Sequence, residues 1–82
     1  MQKHHLKVTS AAFSYVNSRA KSCIIRDNDR KFKTGDTVIL HEFNLSQMNF
    51  TGNTVSRQIV LANFAEKPRK KSSRVILFLK CN

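Results

Sequence analysis

Eighty-two residues, 40% apolar and carrying six Phe, one Tyr and no Trp, suffice for one small hydrophobic core over residues 1–82. They exclude a second domain or a large enclosed substrate cavity, so any site is an open cleft or groove. Fifteen Lys and Arg against five Asp and Glu leave a formal charge of +10, which points to a polyanionic partner because each phosphate contact releases condensed counterions.

In chain order, His5 to Val8 alternates polar and apolar and predicts a strand with Leu6 and Val8 on one face. Thr9-Ser10 offers N-cap hydroxyls for a helix to about Ser18, with Phe13 and Val16 as its apolar stripe and Ala12 and Tyr15 beside them. Ser22 to Arg26 predicts a second strand, followed by a charged loop from Asp27 to Thr34 and a Gly35-Asp36 turn. Thr37 to Phe43, rich in β-branched and apolar residues, predicts the third strand. Asn44 to Asn53 is read as a polar connection, and Asn53 to Ala62 as a strand with Val55, Ile59 and Leu61 on one face, interrupted by Arg57. Lys67 to Ser73 reads as a basic loop, and Arg74 to Cys81 as the last strand. The order β-α-β-β-β-β predicts an α+β domain with one short N-terminal helix and a small, mostly antiparallel sheet curled toward a barrel, which would protect its edges.

The longest apolar run, Val75 to Leu79, is too short to cross a bilayer, and no signal peptide is read at the start. A cytoplasmic protein with no membrane partner is the expectation, with Cys23 and Cys81 as reduced structural thiols at the edges of apolar stretches.

Polar chemistry concentrates around the loop. Arg26, Arg30, Lys31 and Lys33 fall within eight residues, with Arg19 and Lys21 just upstream, and adjacency of strand and helix end would bring Lys21 and Arg26 to a common groove. Guanidinium groups fit phosphate bidentately and Lys supplies a movable point charge. Phe32 is expected to anchor the loop into the core rather than stack on a base. Asp27 and Asp29 are bracketed by Arg26 and Arg30, so local ion pairs and turn hydrogen bonds explain them more simply than acid-base chemistry. A calcium loop counted from Asp27 fails, with Phe32 where Gly is needed and Val38 where Glu is needed. His4-His5 and His41 are the only imidazoles; the N-terminal pair is expected to be exposed, and neither a metal set nor a cofactor is expected. No GxSxG elbow is present. A second cationic cluster, Lys67, Arg69, Lys70 and Lys71, reads either as a solvated tip or as a phosphate-tracking arm.

On these pieces the chain resembles the ASCH family of the PUA-like superfold, more narrowly a compact bacterial and phage branch. The matching residues are His5-Leu6-Lys7, Phe13, Ser18 and Lys21, Ile25-Arg26, Asn28 to Lys33, Gly35-Asp36-Thr37, Val38 to Phe43, Phe50-Thr51-Gly52 and Val75-Ile76-Leu77, with Arg26 to Asp36 the most specific stretch. The resemblance implies a small β-barrel with a helix beside a cleft, and RNA or a modified nucleoside as ligand. The family motif is G-x-K followed by a polar or acidic residue and Arg, and Lys21 and Arg26 carry over as the ligand-contacting pair. Arg19 replaces the motif Gly, and Ile24 replaces the polar residue.

The amidohydrolase relatives deacetylate 4-acetylcytidine with a Lys, a Thr and a Glu, and other relatives are ribonucleases. Here Lys21 is retained, but Ile24 can neither attack nor donate a hydrogen bond, and no downstream Glu matches. An RNA- or other nucleic-acid-binding module with no evident catalytic set is therefore the expectation, with Lys21 and Arg26 in the cleft and Arg19, Arg30, Lys31 and Lys33 along its rim. Lys67 to Lys71 would form an electrostatic arm. The alternative is an enzyme on RNA or a modified nucleoside, with Lys21 as its catalytic residue.

Overall fold

A computed structural model describes residues 1–27, 31–64 and 74–81. Five strands and one helix follow in chain order: β1 (Lys3–Thr9), α1 (Ser10–Asn17), β2 (Lys21–Asp27), β3 (Thr37–Asn44), β4 (Asn49–Phe64) and β5 (Arg74–Lys80). They form a strand-rich α+β domain around a single sheet ordered β1-β3-β4-β5-β2. Three neighbouring pairs are antiparallel and β1 runs parallel to β3. Only β3, β4 and β5 meander; β2 crosses to the far edge instead of lying beside β3 as its position in the chain suggests.

The expected barrel does not close. β1 and β2 are the two edges, and α1 joins them while packing on both and on β3. Its buried Phe13 and Val16 fill the gap where a closing ladder would run. Thr9 caps the helix, its hydroxyl accepting from the Ala12 amide at 3.3 Å. The helix thus takes over the edge-covering role that closure would have served.

Period-two alternation sorts the strands onto two faces. Leu6 and Val8 of β1, Val38 and Leu40 of β3, Val55 and Ile59 of β4, and Val75, Leu77 and Leu79 of β5 are buried beneath the helix. Phe32 joins them at 1% exposure, confirming it as the loop anchor. Lys31, at φ 51, takes the left-handed region immediately before it. Leu61 was expected inside but is exposed: a bulge in β4 moves the register from Ile59↔Leu79 to Leu61↔Phe78 and reverses the alternation. Ala62 then packs on the core in its place.

The polar connection after β3 is shorter than its composition suggests, with β4 starting at Asn49. Asn44 Oδ1 accepts from the Ser46 and Gln47 amides at 2.8 and 3.1 Å, building the turn. Cys23 and Cys81 are exposed free thiols, which corrects their placement as structural thiols. The pairing of Lys21 with Lys80 sets Cys81 beside Ala20, ~10 Å along the ladder from Cys23 and beyond disulfide reach.

Candidate functional site

The seam left between the two edge strands is a concavity lined by both Lys7 and Arg26. A groove of about 380 Å³ runs along it, with Lys7 and Thr9 from β1, Tyr15 from α1, and Cys23, Ile24 and Arg26 from β2 among its lining residues. Arg26 spans the seam, its Nη1 donating a long 3.4 Å hydrogen bond to the Lys7 carbonyl oxygen. A second hollow, of about 430 Å³, opens at the end of β2 against Ile25, Arg26, Asp27 and Arg74, so Arg26 faces both. No Asp or Glu of the described residues lines the groove. Its cations therefore meet no acidic side chain there.

Both parities of β2 reach this seam, since Cys23 and Ile25 line the groove along with Ile24 and Arg26, whereas Lys21 does not line it. Ser22, Ile24 and Arg26 are half-buried and face the helix side, while Lys21, Cys23, Ile25 and Asp27 are exposed. Lys21 and Arg26 therefore point to opposite faces, ~16 Å apart along the strand, and do not form the pair expected from the sequence. Lys21 sits at the start of β2 opposite Lys80. Arg19 does not line the groove, but its guanidinium stacks over the ring of Tyr15, which does, 4.7 Å from the centroid. The i, i+4 spacing of Tyr15 and Arg19 could have signalled that contact.

Lys31 and Lys33 are exposed, in a loop fastened to β4 by Gly35 N–H to the Ile59 carbonyl at 2.7 Å, and neither lines the groove among the described residues. Arg30, Lys67, Arg69, Lys70 and Lys71 lie outside the described residues. Lys7 was quoted only as part of the resemblance. Its parity on β1, odd beside the apolar Leu6 and Val8, already marked it as outward-facing.

Two interactions shape the surroundings. His4 is buried, against the expectation of an exposed pair, and its Nε2 donates to Asp36 Oδ2 at 2.9 Å. The hydrogen bond from His4, together with those from the Gln2 and Lys33 amides, holds the Asp36 carboxyl below its ordinary value despite burial. Arg57, also buried, donates to the Ser56 carbonyl at 2.9 Å and to the Val16 carbonyl at 3.5 Å. It satisfies an end carbonyl of α1 and places positive charge at the negative pole of the helix.

Residues 3–79 match the family described as Domain of unknown function (DUF3850). The chain belongs to this family. No curated protein matches it. The matched span of this DUF3850 domain takes in β1, α1, β2 and all but the last residue of β5, and hence the whole seam. Among the described residues, no group of three or more His, Cys, Asp or Glu is placed to hold a metal ion, and no helix is long and apolar enough to cross a membrane.

Proposed function

We propose that this DUF3850 domain is a cytoplasmic nucleic-acid-binding module, with RNA as its partner, whose binding groove is the seam between β1 and β2. It is read as kin to the ASCH family of the PUA-like superfold, on the strength of the residues from Arg26 to Asp36. The observation that carries the function is Arg26, a guanidinium facing two hollows, with Lys7 beside it in the seam groove and no carboxylate of the described residues lining that groove. A planar fork of donors flanked by a mobile ammonium suits phosphate oxygens. The field of the +10 chain draws a polyanion toward it.

Binding without chemistry fits the same groove. Ile24 stands on its floor, and Lys21 faces the other side of the strand. A nucleophile needs an activating group within hydrogen-bond reach, and Ile24 and Lys21 do not form such a pair.

Fluorescence anisotropy with a short labelled RNA at rising KCl tests the reading. The logarithm of affinity falls linearly with the logarithm of salt, as counterion release requires. Amide shifts on titration gather at Lys7, Tyr15, Ile24 and Arg26. An affinity flat with salt, or shifts that avoid these residues, would sink it.

A further inference from the structure

Outside the groove, rings gather on the outward face of the sheet where no core requires them. Two of the three come from period-two alternation: exposed His5 on β1 and half-buried His41 on β3, with His5 Nδ1 and His41 Nε2 sharing a hydrogen bond at 2.9 Å. The third, Phe50, is delivered by an irregularity. The pairing of β3 with β4 passes from His41↔Thr54 directly to Phe43↔Phe50, leaving Glu42 alone opposite Thr51, Gly52 and Asn53. Gly52, at φ 93, absorbs the bend, which a side chain at that φ would strain.

Glu42 Oε1 accepts from Thr51 Oγ1 and from Asn53 Nδ2, each at 2.9 Å, and pins the bulge. Phe50 is thereby turned back over the sheet, edge-on to His41 at 6.4 Å and to Phe43 at 5.0 Å between ring centroids. Lys7 Nζ sits 4.7 Å from the centre of the Phe43 ring. Phe50 nevertheless stays 56% exposed, above a hollow of about 350 Å³ lined by His5, Leu6, Lys7, His41 and Phe50.

An aromatic face kept in water, beside an ammonium with no carboxylate partner among the described residues, is a surface shaped for a partner. Lys7 lines both this hollow and the seam groove, so the two meet at this residue. Glu42 is held in the bulge by Thr51 and Asn53, and no carboxylate of the described residues lines the hollow. A lysine beside π-faces matches an anionic backbone bearing unpaired bases, and in a duplex those base faces are hidden by stacking.

We propose that His41 and Phe50 form a base-stacking platform for single-stranded nucleic acid, reached from the groove through Lys7. Phosphates bind Arg26 and Lys7, and the next bases along the strand lie on the rings. The proposal rests on the nucleic-acid reading of the groove and narrows it to single strands.

The test compares a labelled oligouridylate, a duplex of the same length and an abasic single strand. Wild type binds the oligouridylate more tightly than the duplex. Phe50→Ala and His41→Ala each weaken oligouridylate binding by about 5- to 150-fold, the range for loss of one stacked base. Neither variant alters the salt dependence or the affinity for the abasic strand. Phe50→Tyr retains wild-type binding, and circular dichroism melts show that the variants stay folded.

Unchanged oligouridylate binding by both alanine variants overturns the platform, as does an equal loss on the abasic strand. If Arg26→Ala still weakens binding in that case, the groove reading survives alone. A wild-type dimer that Phe50→Ala dissociates without affecting RNA affinity makes the rings a contact between copies and also overturns the proposal. Failure of wild type to bind any of the three probes removes groove and platform together.

Discussion

His4 Nε2 lies 2.9 Å from Asp36 Oδ2, with both side chains buried, and this contact fastens the start of β1 to the turn that launches β3. Asp36 is saturated from every side. Its Oδ1 accepts from the Gln2 amide at 3.1 Å, and its Oδ2 also accepts from the Lys33 amide at 3.3 Å. Its own carbonyl accepts from the Ile59 amide at 2.8 Å. The carboxylate thus joins the N-terminus and the cationic loop, the main-chain carbonyl of the same residue adds β4, and the His4 ring leans on Phe32 at 4.8 Å between centroids.

The first prediction follows from the direction of the Asp36 shift. Its folded-state pKa is depressed, so the unfolded chain binds the proton more readily, and stability rises with pH through this window. The contribution is fully present above the unfolded value of about 3.9 and is lost as pH falls through the lower folded value. Urea unfolding of wild type between pH 6 and pH 2.5 should show this loss beginning near pH 4. Asp36→Asn should be less stable at neutral pH by about 1–3 kcal/mol, from donors left without a charged acceptor. It should also show a shallower acid slope, and an equal slope would dissociate the carboxyl from the acid sensitivity.

The second prediction concerns the seam. Arg26→Ala should lower RNA affinity and reduce the magnitude of the log–log salt slope by about 1, the signature of one lost phosphate contact. Arg26→Lys should keep most of the slope while losing the bidentate part of the affinity. Lys21→Ala, on the opposite face of β2, should change binding less than Arg26→Ala. Anisotropy titrations at several salt concentrations separate the three variants, and a larger loss from Lys21→Ala would move the binding surface to the other face.

Phe32 gives the third. At 1% exposure it is one of the largest fully buried side chains, placed there by a loop rather than by a strand. Phe32→Ala should cost about 3–5 kcal/mol, the range for emptying a buried aromatic site. Against a total stability of about 4–12 kcal/mol for a chain of this length, that leaves a marginal fold. Phe32→Leu should recover much of the loss and bind RNA as wild type does. Denaturant midpoints read the first effect. A binding defect in the folded Leu variant would restore Phe32 as a stacking residue.

The strands facing one core were legible because alternation is a local property. Leu6 and Val8, Val38 and Leu40, and Val55 and Ile59 announce their faces in the sequence, as Thr9 announces the helix start. The bulge after Ile59 was not legible, since one extra residue leaves no mark in composition while reversing every side chain beyond it. Nor was His4–Asp36, a pairing of residues 32 positions apart that depends on β1 running parallel to β3. The open seam depends on how α1 packs between two edges, which no residue pattern encodes. The placement of Lys21 was available all along: its odd position on β2 sets it opposite in parity to Ile24 and Arg26.

That parity bears on the fourth prediction, made at Ile24. From the sequence, placing Thr there should create or raise amidase activity if the rest of an amidohydrolase site persists. Ile24 is half-buried on the groove floor and packs against the core, while the exposed Lys21 belongs to the other face of the strand. A Thr hydroxyl at this position is therefore not paired with Lys21, the lysine of the amidohydrolase motif, and proton transfer requires hydrogen-bond reach. Ile24→Thr should lose about 1–2 kcal/mol of stability through lost apolar burial. It should convert no 4-acetylcytidine to cytidine when the reaction is followed by liquid chromatography. Turnover above the buffer rate would mean that a base does reach the groove floor, and it would reopen the site to catalysis.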